Sequence, residues 1–121
     1  MSSLILATLL QLSSSQLSIA QAETLARRDE ASLSAALTSD FAVRQGKSVG
    51  LALHQCGAKR LRQVAGLKVI MRLDERGRVT KTWLNKTTAL GRCLDRHVQS
   101  FVLPTDGRRE FYSFINFNAE P

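Results

Sequence analysis

The sequence predicts a small α+β domain: an antiparallel sheet with helices packed on one face, preceded by an extra amino-terminal helix. Three observations carry that prediction. Apolar residues recur at helical spacing across residues 23–64 and again across 88–101. Between these stretches Leu67, Val69, Met71 and Leu73 alternate with Lys68, Ile70, Arg72 and Asp74, the period of a half-buried strand. The resulting order of helix, helix, hairpin, helix, strand allows neighbouring strands to pair antiparallel with the helices stacked against them.

Taken in order, Leu25, Leu33, Ala36, Leu37 and Phe41 give residues 23–45 one helical stripe, which Gly46 should interrupt. Val49, Leu53, Cys56, Leu61 and Val64 predict a second helix over 47–64, ended by Gly66. After the strand at 67–74, the stretch Asp74-Glu75-Arg76-Gly77-Arg78 is a hairpin loop in which Gly77 is free to take a positive φ. Residues 79–84, with two threonines and the single Trp, form the return strand. Thr87 or Thr88 can cap a third helix striped by Leu90, Cys93, Leu94, Val98 and Phe101, and Pro104 lies beyond its end. Asp106-Gly107 makes a turn, and residues 110–118 close the chain as an aromatic strand.

A chain of 121 residues bounds the domain count at one folded unit. Charge is uneven along it. Residues 1–22 carry no charged side chain, whereas residues 44–96 carry 13 Lys and Arg against three acidic residues. Such a segment attracts acidic partners, or simply keeps a small protein soluble. Arg60, Arg62, Arg72, Arg76 and Arg78 are the candidate partner-binding residues. Nucleic acid is not expected as the partner, because single-strand binders interleave basic residues with stacking aromatics. Here the basic stretch holds only Trp83.

Residues 1–22 have the layout of an export signal. Residues 4–12 are an apolar run, and Ala20-Gln21-Ala22 supplies an A-x-A cleavage pattern, although Met1-Ser2-Ser3 lacks the usual Lys or Arg. The run is too short for a transmembrane helix. The expected organisation is therefore a signal peptide over 1–22, a helical segment over 23–45 and the α+β domain over 46–121, in an exported protein without a stable membrane anchor.

Cys56 and Cys93 each fall on the apolar stripe of a helix that should face the sheet. In an oxidising compartment they are expected to form a disulfide, worth about 4 kcal/mol for a loop of roughly 38 residues. Two alternatives remain open: a pair of free, buried thiols, and a metal set of Cys56, Cys93, His54 and His97. The second lacks a Cys-x-x-Cys hairpin, and neither a metal nor another cofactor is expected. No G-x-S-x-G, H-E-x-x-H or glycine-rich phosphate loop is present, so no enzymatic activity is expected.

Residues 56–117 resemble the carboxyl-terminal domain of the AgmX/PglI family, itself similar to the periplasmic domain of TonB-type energy transducers. The residues carrying the resemblance are Cys56 followed by Lys59-Arg60-Leu61, the run from Gly66 through Asp74, and Gly77-Arg78-Val79 at the turn. Gly91-Arg92-Cys93-Leu94-Asp95-Arg96, Phe101 to Pro104 and the closing aromatic strand complete it. The resemblance implies a non-catalytic, protein-binding α+β domain in the envelope of a Gram-negative bacterium, with the periplasm as its compartment. TonB-type transducers also have a membrane anchor and a long Pro-rich reach, neither of which these residues supply. The expected role is thus a free periplasmic adaptor that binds another envelope protein, a receptor or motor component. The alternative is an inhibitor or immunity protein that neutralises an envelope-acting toxin.

Overall fold

A computed structural model of the chain describes residues 16–117. Helix α1 spans Ile19–Ala31 and helix α2 spans Ala35–Gln55. A 3-10 turn at Leu61–Val64 leads into strand β1, Lys68–Leu73. Strand β2, Val79–Leu84, returns through the hairpin; helix α3, Ala89–Val98, and strand β3, Phe111–Asn116, follow. The sheet is antiparallel in the order β2-β1-β3, so the chain's first strand is central and the other two are edges. The predicted α+β class is the architecture found.

Central β1 is buried on both faces. Val69, Met71 and Leu73 point into the larger core, where Leu94 and Val98 of α3, Phe101, Leu103, Phe111 and Ile115 surround them. Helix α2 closes this side with Phe41, whose ring lies 5.8 Å from that of Phe111. Ile70 points the other way and is also fully buried, beside Trp83 and Tyr112. Ala22 and Ala26 of α1 cover that face, and their small side chains let the helix backbone approach the sheet closely. Lys68 Nζ to Glu23 Oε1 at 2.6 Å and Trp83 Nε1 to the Leu17 carbonyl at 3.0 Å pin α1 in place.

The expectation that the helices gather on one face holds for α2 and α3 and fails for α1. Ile70, assigned by alternation to the polar side of the strand, is instead the centre of a second small core. The helix boundaries are also corrected. The break falls at residues 32–34, where the Ser32 hydroxyl donates to the Asp29 carbonyl (2.6 Å) and Ser34 caps α2 by accepting from Leu37 N (3.2 Å). Serine side chains compete with the helical ladder for backbone partners, which makes them better caps than helix interior. Gly46 and Gly50 do not interrupt α2; it ends at Gln55, just before Gly57 turns the chain at φ 74°. Residues 61–64, expected to continue the second helix, form only the 3-10 turn.

The hairpin is as predicted. Gly77 sits at φ 80°, donates to the Asp74 carbonyl (2.9 Å), and accepts from Leu103 N (2.9 Å). A Cβ there would lie 1.9 Å from the Leu103 carbonyl oxygen, whereas one at Gly46, on the exposed surface of α2, would meet nothing. Gly77→Ala should therefore lower stability by more than about 1 kcal/mol. Gly46→Ala should raise it by roughly 0.5–1 kcal/mol. Urea midpoints of the two variants check both signs.

Candidate functional site

The two edges of the sheet are treated differently. Along β3 the residues bonded to β1 alternate with residues whose amides point outward, and Phe117 N to the Leu67 carbonyl (2.9 Å) sets that alternation. Tyr112 and Phe114 point outward, and α1 covers both amides. Tyr112 N donates to Asp29 Oδ2 (2.9 Å) and Phe114 N to Glu30 Oε2 (3.1 Å), which also accepts from the Ser113 hydroxyl. Arg27 lies over the Phe114 ring, its guanidinium carbon 5.0 Å from the centroid.

Among the described residues, the outer edge of β2 has no such cover. Asn85 N donates to the Lys68 carbonyl (3.2 Å), which turns Trp83 and Lys81 toward β1 and the amides of Thr82 and Leu84 outward. Among the described residues only the start of this edge is occupied, by the bridge between Arg78 and Val102 and by Leu103 N on the Gly77 carbonyl. Beyond it, from Thr80 to Leu84, the edge has no backbone partner among the described residues. A groove of about 370 Å³, lined by Val79, Thr80, Lys81, Thr82 and Gln99, runs beside it. A bulge between Arg72 and Leu73 marks the hairpin end of this strand pair.

Of the predicted partner-binding residues, the fold gathers three around the hairpin. Arg76 and Arg78 are exposed on the turn. Arg72 is half-buried next to them, donating through Nε to Thr80 Oγ1 at 2.8 Å. Arg60 and Arg62 lie on the 3-10 turn before β1, at the opposite end of a six-residue strand about 20 Å long. The five arginines thus form two clusters. Sequence reasoning did not single out Thr82 and Leu84 as an open edge, nor Asp29 and Glu30 as the cover of the other.

Cys56 and Cys93 are joined in a disulfide, with Cα atoms 5.9 Å apart across 37 positions. Cys56 ends α2 and Cys93 lies on α3, so the bond ties the two helices of the larger core together. His97, one turn beyond Cys93, brings a ring nitrogen within 4.8 Å of both sulfurs. His54 is exposed and outside this group, so the four-residue metal set does not assemble. Tyr112, its hydroxyl donating to Glu110 Oε1 (2.8 Å), is pushed up to about 12 by burial and then by that carboxylate; it stays neutral.

Two carboxylates are held below their ordinary range. Glu23 falls below 4.5 because it accepts from Lys68 and then from Arg27, and Asp74 below 3.8 because it accepts the Arg78 and Arg76 amides. A lowered folded-state pKa adds stability above the ordinary value and loses it as pH falls through the lowered one. The urea midpoint should thus be flat from neutrality to about pH 5 and fall below it. Glu23→Gln should flatten part of that fall, and an unchanged slope would remove Glu23 from it. Loss of the disulfide in the Cys56→Ser/Cys93→Ser double variant should cost about 4 kcal/mol. Thiol titration of the native protein should find no free thiol, and two would contradict the bond.

No family model matches the chain, and no curated protein or solved structure does so either.

Proposed function

We propose that the domain is a non-enzymatic protein-binding adaptor of the bacterial envelope, which takes an extended acidic segment of its partner along the outer edge of β2. The observation carrying this reading is the asymmetry of the sheet. One edge is closed by the chain's own carboxylates; along the other the Thr82 and Leu84 amides point outward, beside a groove that starts at Val79, the strand end that adjoins Arg78. Main-chain hydrogen bonds to such an edge supply affinity, and alternate side-chain pockets supply selectivity. Nearby arginines raise the encounter rate with an acidic segment and favour it over a basic one. The resemblance to TonB-type domains supports a protein partner over a small molecule.

The periplasmic part of the proposal rests on the leader pattern. Residues 4–12 lie outside the described residues, and Ala20-Gln21-Ala22 forms the start of α1. Ser18 caps this helix in a reciprocal box with Gln21 (2.8 and 3.1 Å), and Ala22 is wholly buried. A chain starting at Glu23 would keep Asp29, Glu30 and the Lys68 partner while losing the cap and the Leu17 carbonyl. Among the described residues no helix is long and apolar enough to cross a membrane. Cell fractionation with amino-terminal sequencing tests the compartment: a periplasmic chain starting at Glu23 is expected, and an intact cytosolic chain would overturn it. Co-purification with a secreted hydrolase, rather than a receptor or motor component, would select the immunity-protein reading.

Strand addition has its own test. Thr82→Pro removes an outward amide at an edge position where Pro is tolerated, so the fold should survive. Against extended peptides selected on the wild-type domain from a displayed library, Thr82→Pro should abolish binding. Arg76→Glu/Arg78→Glu should slow association, most strongly at low salt. Selected peptides that bind Thr82→Pro as well as wild type would place recognition elsewhere.

A further inference from the structure

We propose that the reduced protein holds a single thiophilic metal ion between Cys56, Cys93 and His97, so that the position occupied by the disulfide is a metal site in a reducing environment. The three ligand atoms already lie within 4.8 Å of one another. A tetrahedral zinc site, with bonds of about 2.3 Å to sulfur and 2.0–2.1 Å to nitrogen, needs them roughly 3.5–3.8 Å apart. Side-chain rotation is enough to reach that spacing, because Cys56 at the end of α2 and Cys93 in the middle of α3 face each other with Cα atoms 5.9 Å apart. Cys93 and His97 stand four residues apart on α3, the separation that places two side chains on one helix face. All three side chains are half-buried, accessible to an ion and partly shielded from water. Three protein ligands leave a fourth position for solvent.

The chemistry is balanced by an external dithiol. Its two thiols reduce the Cys56–Cys93 bond, giving two cysteine thiols and the oxidised, disulfide form of the reductant. A divalent ion then displaces the two thiol protons, forming two metal–sulfur bonds while neutral His97 donates a nitrogen lone pair. Two thiolates and an imidazole select zinc or cobalt over magnesium or calcium. Oxidation and metal binding therefore exclude each other, since the bonded sulfurs have no thiolate to offer.

The test uses the full chain, reduced with a phosphine, freed of reductant under argon and titrated with Co2+ alone. Thiolate-to-cobalt charge-transfer absorption should appear, saturate at about one equivalent and vanish on adding Zn2+. The oxidised protein should show none. His97→Ala should weaken binding by at least about tenfold, and His54→Ala should leave it unchanged. Absence of the absorption, or a His97→Ala titration that matches wild type, would overturn the proposal. If reduction unfolds the chain, far-ultraviolet circular dichroism decides, because metal binding and folding then share one free energy. Helical signal recovered with Co2+ supports the site, and no recovery refutes it.

Discussion

Two hydrogen bonds, from the Tyr112 and Phe114 amides to the Asp29 and Glu30 carboxylates, govern how the rest of the molecule is arranged. A three-stranded sheet necessarily has two edges, and an edge is a template for any other strand. Here adjacent helical carboxylates meet alternate strand amides, so one edge is satisfied within the chain. The same contact holds α1 against Ile70, Trp83 and Tyr112 and gives the central strand its second buried face. The remaining edge, on β2, keeps its outward Thr82 and Leu84 amides without a backbone partner among the described residues. The proposed strand addition rests on that inequality between the two edges.

The disulfide acts on the opposite face. It joins the end of α2 to α3 across the larger core, in a chain small enough that several kcal/mol is a large share of total stability. Cys93 stands on α3, whose C-cap Gln99 lines the groove beside β2. His97 ties the bond's neighbourhood to a second groove, lined in part by Leu51, Ala52, Phe101 and Val102 between α2 and α3.

Much of the fold was legible because local rules and the global fold agree. Alternation in β1, the positive φ at Gly77, the Thr88 cap and the stripe of α3 all follow from short-range pattern, and so does the meeting of Cys56 with Cys93. The misreadings have local origins. Alternation alone places Ile70 on the polar side of β1, because the small side chains of Ala22 and Ala26 give little apolar signal for the helix face that covers it. Gly46 reads as a helix break, whereas the Ser32 and Ser34 side chains make the break. Asp29 and Glu30 carried a usable signal: acidic side chains in the last turn of a helix oppose its dipole. Once the helix is seen to end at Ala31, they require a partner elsewhere, and the β3 amides are that partner. No local signal marks Thr82 and Leu84, because an open edge is a property of strand order, which sequence spacing does not encode. For the same reason, five arginines close in sequence separate into two clusters at opposite ends of a strand.

Amide hydrogen exchange, resolved by residue in the native protein, bears most directly on the unequal edges. Tyr112 and Phe114 should exchange as slowly as the ladder amides of β1, because α1 must lift before water reaches them. Thr82 and Leu84 should exchange orders of magnitude faster, at rates close to those of an unprotected chain. Fast exchange at Tyr112 and Phe114, or protection at Thr82 and Leu84 equal to that of the central strand, would contradict the division of the sheet into one closed edge and one open one.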